Sequence, residues 1–131
     1  MKYVLSFLAA VIALASAGLI EPALKEQMAR VDGSERLGVL IALKRQLDGE
    51  NIIRTIKNKQ QRWETTVNAL KEIAALDQAG LLSELRSFEA SGKVAEIRPL
   101  WIVNAVYCEA TPEVINRMAD RDEVWFVQWD L

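Results

Sequence analysis

The chain has 131 residues, with 16 basic and 18 acidic side chains, a formal charge of −2, one cysteine and no histidine. The small acidic excess is no footprint for nucleic acid. The missing histidine excludes Ser-His-Asp and Cys-His catalysis, histidine-liganded metals and the usual general base near neutral pH.

The N-terminus carries one charge at Lys2, an apolar run from Val4 to Leu14, and Ala15-Ser16-Ala17 in the small-x-small pattern of a signal peptidase site. Cleavage between Ala17 and Gly18 is expected. The run is well short of the roughly 20 residues that a membrane span needs, so export is the better reading and the processed chain is expected to be secreted, extracellular or periplasmic, with an uncleaved anchor as the alternative. Removing residues 1–17 takes away only Lys2 among the charges and leaves a formal charge of −3 on about 114 residues, enough for one domain with one modest core. Residues 18–34, with Gly18, Pro22, Gly33, Ser34 and scattered charges, read as a leader or linker outside the core, with a short helical piece from Ala23 to Val31.

The folded domain is expected over residues 35–131. Leu37 to Leu43 is nearly all apolar, as in a central strand covered on at least one face. From Ile52 to Phe88 the pattern is helical. Trp63, Val67, Leu70 and Ala74 recur at spacings of four, three and four, and Leu81, Leu82, Leu85 and Phe88 continue the stripe. A single helix of that length would run roughly 55 Å, about twice the width of such a domain, so a break is expected. Asp77-Gln78-Ala79-Gly80 is the best candidate, because glycine weakens a helix and aspartate caps the next. Trp63 reads as core.

Ser91-Gly92 ends the helical region, and Val94 to Ile102 reads as a strand carrying Pro99 at an edge or bulge. Val106, Cys108 and Ala110 alternate with Ala105, Tyr107 and Glu109, placing the first set inward on a half-buried strand. Cys108 on that inward set reads as a small buried hydrophobe rather than a reactive thiol, with an intermolecular disulfide as the minor alternative. Thr111 stops the strand and offers its hydroxyl to a helix that begins at Pro112, with Glu113 at the positive helix end. Val114, Ile115 and Met118 form the apolar stripe of that helix, and Val124 opens a last strand. The sum is strand, helical region, strand, strand, helix, strand. That is an α+β fold of the ferredoxin-like split βαβ type: an antiparallel four-stranded sheet, helices on one face and an extended first helical region. The other face stays open. Its outward positions include Tyr107 and Glu109, with Trp125 or Phe126 according to the register of the last strand.

Asn104-Ala105, Thr111-Pro112-Glu113, the run from Asp122-Glu123-Val124 to Asp130, and Leu37 to Lys44 together resemble the propeptide domain of subtilisin-type serine peptidases over roughly residues 35–131. The resemblance rests on the order of elements more than on any one residue. It implies an intramolecular chaperone and inhibitor, not an enzyme, with no cofactor and no metal. Its partner would be a subtilisin-like catalytic domain, in cis or in trans, and its open sheet face would pack on two surface helices of that domain. Tyr107, Glu109, Trp125, Gln128 and Asp130 are the implied protease-binding residues, with Asp130 placed to cap a helix N-terminus of the peptidase. Gln128 and Trp129 depart from the acidic pattern expected there. Because the resemblance implies a cleft-binding tail and a catalytic domain after Leu131, the chain is expected to be a fragment of a longer precursor.

The rival reading is a free-standing secreted interaction module, or an inhibitor acting in trans. It would use the same face, or an edge strand Val124 to Trp129 that pairs with its own copy.

Overall fold

The computed structural model describes residues 18 to 130. The apolar leader with its cleavage residue Ala17, and the terminal Leu131, lie outside the described residues. In chain order the elements are β1 (Leu19–Ile20), α1 (Pro22–Arg30), β2 (Leu37–Leu43), α2 (Gly49–Thr55), α3 (Lys59–Ser87), β3 (Val94–Leu100), β4 (Ala105–Ala110), α4 (Pro112–Ala119) and β5 (Val124–Trp129). They make an α+β fold with a five-stranded mixed sheet in the order β1-β5-β2-β4-β3. The pairs β5–β2, β2–β4 and β4–β3 are antiparallel, and β1 joins the outer side of β5 in parallel.

The expected four-stranded sheet is therefore one strand short, because residues 18–34 are part of the fold rather than a leader to it. Leu24 of α1 is fully buried in the core, and Ile20, Met28 and Val31 pack against it. Leu24, Met28 and Val31, at spacings of four and three, form a helical stripe that the scattered charges around it obscured. β1 also makes β5 an interior strand. The main-chain nitrogen of Glu21 donates to Val127 O at 3.0 Å, and the Glu21 carboxylate accepts from Trp129 N at 3.1 Å, closing the rest of that edge. The expected self-pairing edge at Val124 to Trp129 is thus occupied by the chain itself.

One core lies between the sheet and the helices. Val39, Ile41, Leu43, Val106, Cys108, Ala110, Val124 and Val127 point from the strands toward Leu24, Leu81, Leu85, Val114, Ile115 and Met118 of the helices, all buried. The stripe of α4 and the inward set of β4 lie as their spacing requires. Thr111 occupies the N-cap position of α4, but its hydroxyl makes no capping bond and is buried without a hydrogen-bond partner. Its main chain bonds instead: Thr111 N donates to Lys93 O, and Thr111 O accepts from Ile115 N, both at 3.0 Å.

The helical region breaks at residues 56–58, not at Asp77 to Gly80. Asp48 and Asn58 supply the capping oxygens for α2 and α3, each accepting a main-chain N–H at 3.1 Å. α3 then runs unbroken for 29 residues, about 44 Å at 1.5 Å per residue. Only its second half lies on the sheet, through Ala74, Gln78, Leu81 and Leu85; no residue from Lys59 to Leu70 is buried. Trp63 belongs to the projecting half and is 64% exposed, so its place on the stripe does not put it in the core.

The helix survives Asp77 to Gly80 because each polar residue there has a tertiary task. Gln78 Nε2 donates to Leu100 O at 3.0 Å, to Asn104 Oδ1 at 3.1 Å and to Ala105 O at 3.3 Å. Asp77 takes the Arg45 guanidinium through two bonds of 3.0 and 2.8 Å and accepts from Asn104 Nδ2 at 3.2 Å. A Cβ on Gly80 would lie 2.7 Å from Arg121 Nη2, so glycine here makes room for the guanidinium that reaches Glu84. These bonds also fix the turn after β3, which ends at Leu100 rather than Ile102. In that turn Asn104 adopts φ +43°, a conformation asparagine tolerates better than most residues.

Candidate protein-docking face

The strand period of two divides each strand between the core and the opposite face. Cross-strand pairing sorts that opposite face into rows. One row runs Gln128, Leu40, Tyr107 and Arg98 across β5, β2, β4 and β3. A second runs Leu19, Phe126, Ala42, Ala105 and Leu100 across all five strands. A third sets Glu109 between Gly38 and Ala95, and Asp130 N donates to Gly38 O at 2.9 Å. The core helices pack on the other side; on these rows Leu19, Leu100 and Gln128 are exposed, Leu40, Tyr107, Glu109 and Phe126 are half-buried, and the small Ala42 and Ala105 between them are buried.

Four of the five expected site residues, Tyr107, Glu109, Gln128 and Asp130, share this face. Trp125 does not take a regular place on it. The pairing of β2 with β5 slips between Ala42, opposite Phe126, and Leu43, opposite Val124, which leaves Trp125 as the extra residue of a bulge. It is 50% exposed, with its ring edge-on to Phe126 at 5.0 Å. Phe126 holds the outward position.

Leu40, Arg98, Leu100, Tyr107 and Asp130 line a shallow hollow on the face. The Arg98 guanidinium sits 5.6 Å from the Tyr107 ring centre, a cation–π distance. Burial is the main force lifting the Tyr107 phenol above its ordinary pKa, with the Glu109 and Asp130 carboxylates adding to it and Arg98 opposing. Arg36 and Glu109 approach to 3.7 Å. The hollow thus joins the apolar side chains of Leu40 and Leu100 to charges of both signs at Arg98 and Asp130.

The chain matches no protein-family profile, no curated protein and no solved structure.

Both sheet edges are guarded against strand pairing. β3 carries a bulge between Ala95 and Arg98, with Glu96 at φ +53° and Pro99 lacking an N–H. β1 has two residues and ends at Glu21-Pro22. Cys108 offers no nucleophile: it lies on the core side of β4, where burial and then Glu109 push its thiol up to about 12. Among the described residues no group of three or more His, Cys, Asp or Glu side chains is placed to hold a metal ion, and no helix is long and apolar enough to cross a membrane.

Leu40, Arg98, Leu100 and Leu19 belong to the face without having been expected there. The signal for Leu40 was present: Gly38, Leu40 and Ala42 form the second parity set of β2, and an uncovered face must draw on it. Leu19 was hidden because no strand was expected before residue 35.

Proposed function

We propose that this chain is the pro-domain of a secreted subtilisin-like serine peptidase, acting as intramolecular chaperone and inhibitor of the catalytic domain in cis or in trans. The carrying observation is the uncovered sheet face, with its apolar row from Leu19 to Leu100 and Asp130 at its margin. Such a face lowers its free energy by docking on a complementary surface. The strand order β5-β2-β4-β3, with helices packed on one side, supports the ferredoxin-like split βαβ description, to which β1 is an addition.

A partner with a slow, topologically complex fold gains from such a surface, because a ligand that binds only native-like states stabilises them by mass action. The domain itself carries no catalytic residue and needs no cofactor or metal. It enters the secretory route through cleavage between Ala17 and Gly18, and its recognition involves neither nucleic acid nor membrane.

The second reading, a free-standing interaction module, is favoured by one observation. β1 seals the outer side of β5, the strand that the resemblance leaves at an edge. Inhibition separates the two. Residues 18–131 assayed against a panel of secreted subtilisin-like peptidases should give slow, tight inhibition; a folded chain that inhibits none of them would favour the module.

A further inference from the structure

The main-chain nitrogen of Gly18 lies 2.8 Å from the carbonyl oxygen of Ala119, the last residue of α4. That carbonyl is among the last four acceptors that a helix leaves without an internal partner, and it stands at the negative end of the helix dipole. Only glycine fits the position. A Cβ there would be 2.7 Å from Ala119 O, 2.9 Å from Val124 Cγ1 and 3.1 Å from Val124 O.

We propose that this position is a seat for the α-ammonium group released when the Ala17–Gly18 bond is cut, so that export processing locks β1 onto the sheet. The inference rests on the reading of residues 1–17 as a cleaved leader. A signal-peptidase-type hydrolysis adds water across the amide: Ala17 leaves as a carboxylate, and Gly18 keeps its nitrogen, protonated at neutral pH. An uncharged amide donor thereby becomes a cation at the end of α4. Asp120 and Asn116 of the same helix end line the recess, and Lys25 of α1 is the opposing cation. Asp122 and Glu123 follow in the link to β5, where Arg121 already holds Glu123. The favourable partners of the new charge are therefore the helix end and Asp120.

The consequence reaches the docking face. β1 has only two residues, and its Leu19 completes the apolar row beside Phe126. A firmer anchor at Gly18 holds Leu19 in register, and processing then prepares the face for its partner.

The five-stranded sheet and the core described above lie within residues 18–130, so the test uses residues 18–131 in three forms: with a free Gly18 amine, with that amine acetylated, and with Ala17 retained. Thermal melts from pH 6 to 9.5 should show the free-amine form melting about 4 °C above the other two at pH 6. A cation that gains a partner on folding stabilises below its unfolded pKa and loses that effect as it deprotonates, so the gap should close as pH rises past about 7.7 and beyond. Asp120→Asn should narrow the gap at pH 6. Equal melting points throughout, or a gap that persists to pH 9.5, would overturn the seat. Hydrogen exchange at the Leu19 and Ile20 amides reads the anchoring of β1 locally, with about five-fold faster exchange expected in the acetylated form. N-terminal sequencing of the full chain exported from a secretory host tests the leader separately: a start other than Gly18 removes processing from the account, while the melts still report whether the recess holds a cation.

Discussion

A Cβ placed on Gly38 would come within 3.1 Å of the Tyr107 hydroxyl, so the absence of a side chain on β2 is what lets Tyr107 lie low over the open sheet face. The ring bridges the hollow between Leu40 and Arg98 and stays half-buried with no helix above it. The face is consequently flat enough to dock and apolar enough to benefit from docking.

Tyr107→Glu should therefore damage binding far more than folding. The new carboxylate would stand beside Glu109 and Asp130 on a face that a partner must dehydrate. Inhibition of a susceptible peptidase should weaken by at least ten-fold, a loss of about 1.4 kcal/mol, while the melting temperature moves by only a few degrees. A collapse of thermal stability with no separate effect on binding would place Tyr107 in the structural core instead.

Leu24→Ala should cost about 2–5 kcal/mol, because the side chain is fully buried among core residues. Trp63→Ala should stay within about 0.5 kcal/mol, since the indole lies on the projecting half of α3 and is largely exposed. Urea unfolding of the two variants ranks them directly. The opposite ranking would mean that residues 18–34 are an appendage and that the first half of α3 folds back on the sheet.

The contrast between Leu24 and Trp63 shows what the sequence could and could not reveal. Strands β2, β4 and β5 and helix α4 were legible, because their apolar positions follow one period and end at turn residues. Trp63 also lies on a helical stripe, but a stripe specifies a helix face and not which part of the helix meets the sheet. The burial of Leu24 is not legible locally, because Met28 and Val31 sit among charges and a two-residue strand such as β1 has no periodicity to detect. The unbroken course of α3 through Gly80 depends on Arg45, Asn104 and Arg121, which are remote in sequence and invisible to a local reading. On the face, Tyr107 and Glu109 followed from alternation, whereas the exchange of Trp125 for Phe126 depended on a bulge set by pairing with β2.

Asn104→Ala should destabilise the domain by about 1–3 kcal/mol, because Asn104 joins three elements at once. Its Nδ2 donates to Arg45 O at 2.8 Å and to Asp77, its Oδ1 accepts from Gln78, and its main-chain oxygen accepts from Leu43 N at 3.0 Å. Alanine leaves the buried Gln78 amide short of one partner and adds strain at φ +43°. Asn104→Gly relieves the strain but not the lost bonds, so it should recover only part of the stability. Full recovery by glycine would assign the whole effect to the backbone.

Cys108 should resist alkylation at pH 8 for as long as the domain stays folded. Burial holds its thiol protonated up to about 12, and the thiolate is the reactive form. The raised value also sets a sign for stability. The unfolded chain ionises near the ordinary cysteine value while the folded chain does not, so this contribution is full below that value and declines as pH rises toward 12. Iodoacetamide labelling followed by mass spectrometry should show rapid modification only in denaturant; fast labelling of the native protein would mean that β4 opens readily.

Asp130→Lys should weaken partner binding about five-fold at low ionic strength and much less in 0.5 M salt. The carboxylate borders the hollow under Tyr107, at the point where the proposed peptidase would present the positive end of a helix. Reversing the charge turns a local attraction into repulsion, and salt screens both. Because the main-chain bond from Asp130 N to Gly38 O does not depend on the side chain, the fold should be unaffected. Inhibition constants at two salt concentrations decide the matter: a salt-independent loss would indicate disrupted packing, and no loss would move the interface toward Leu19 and Phe126.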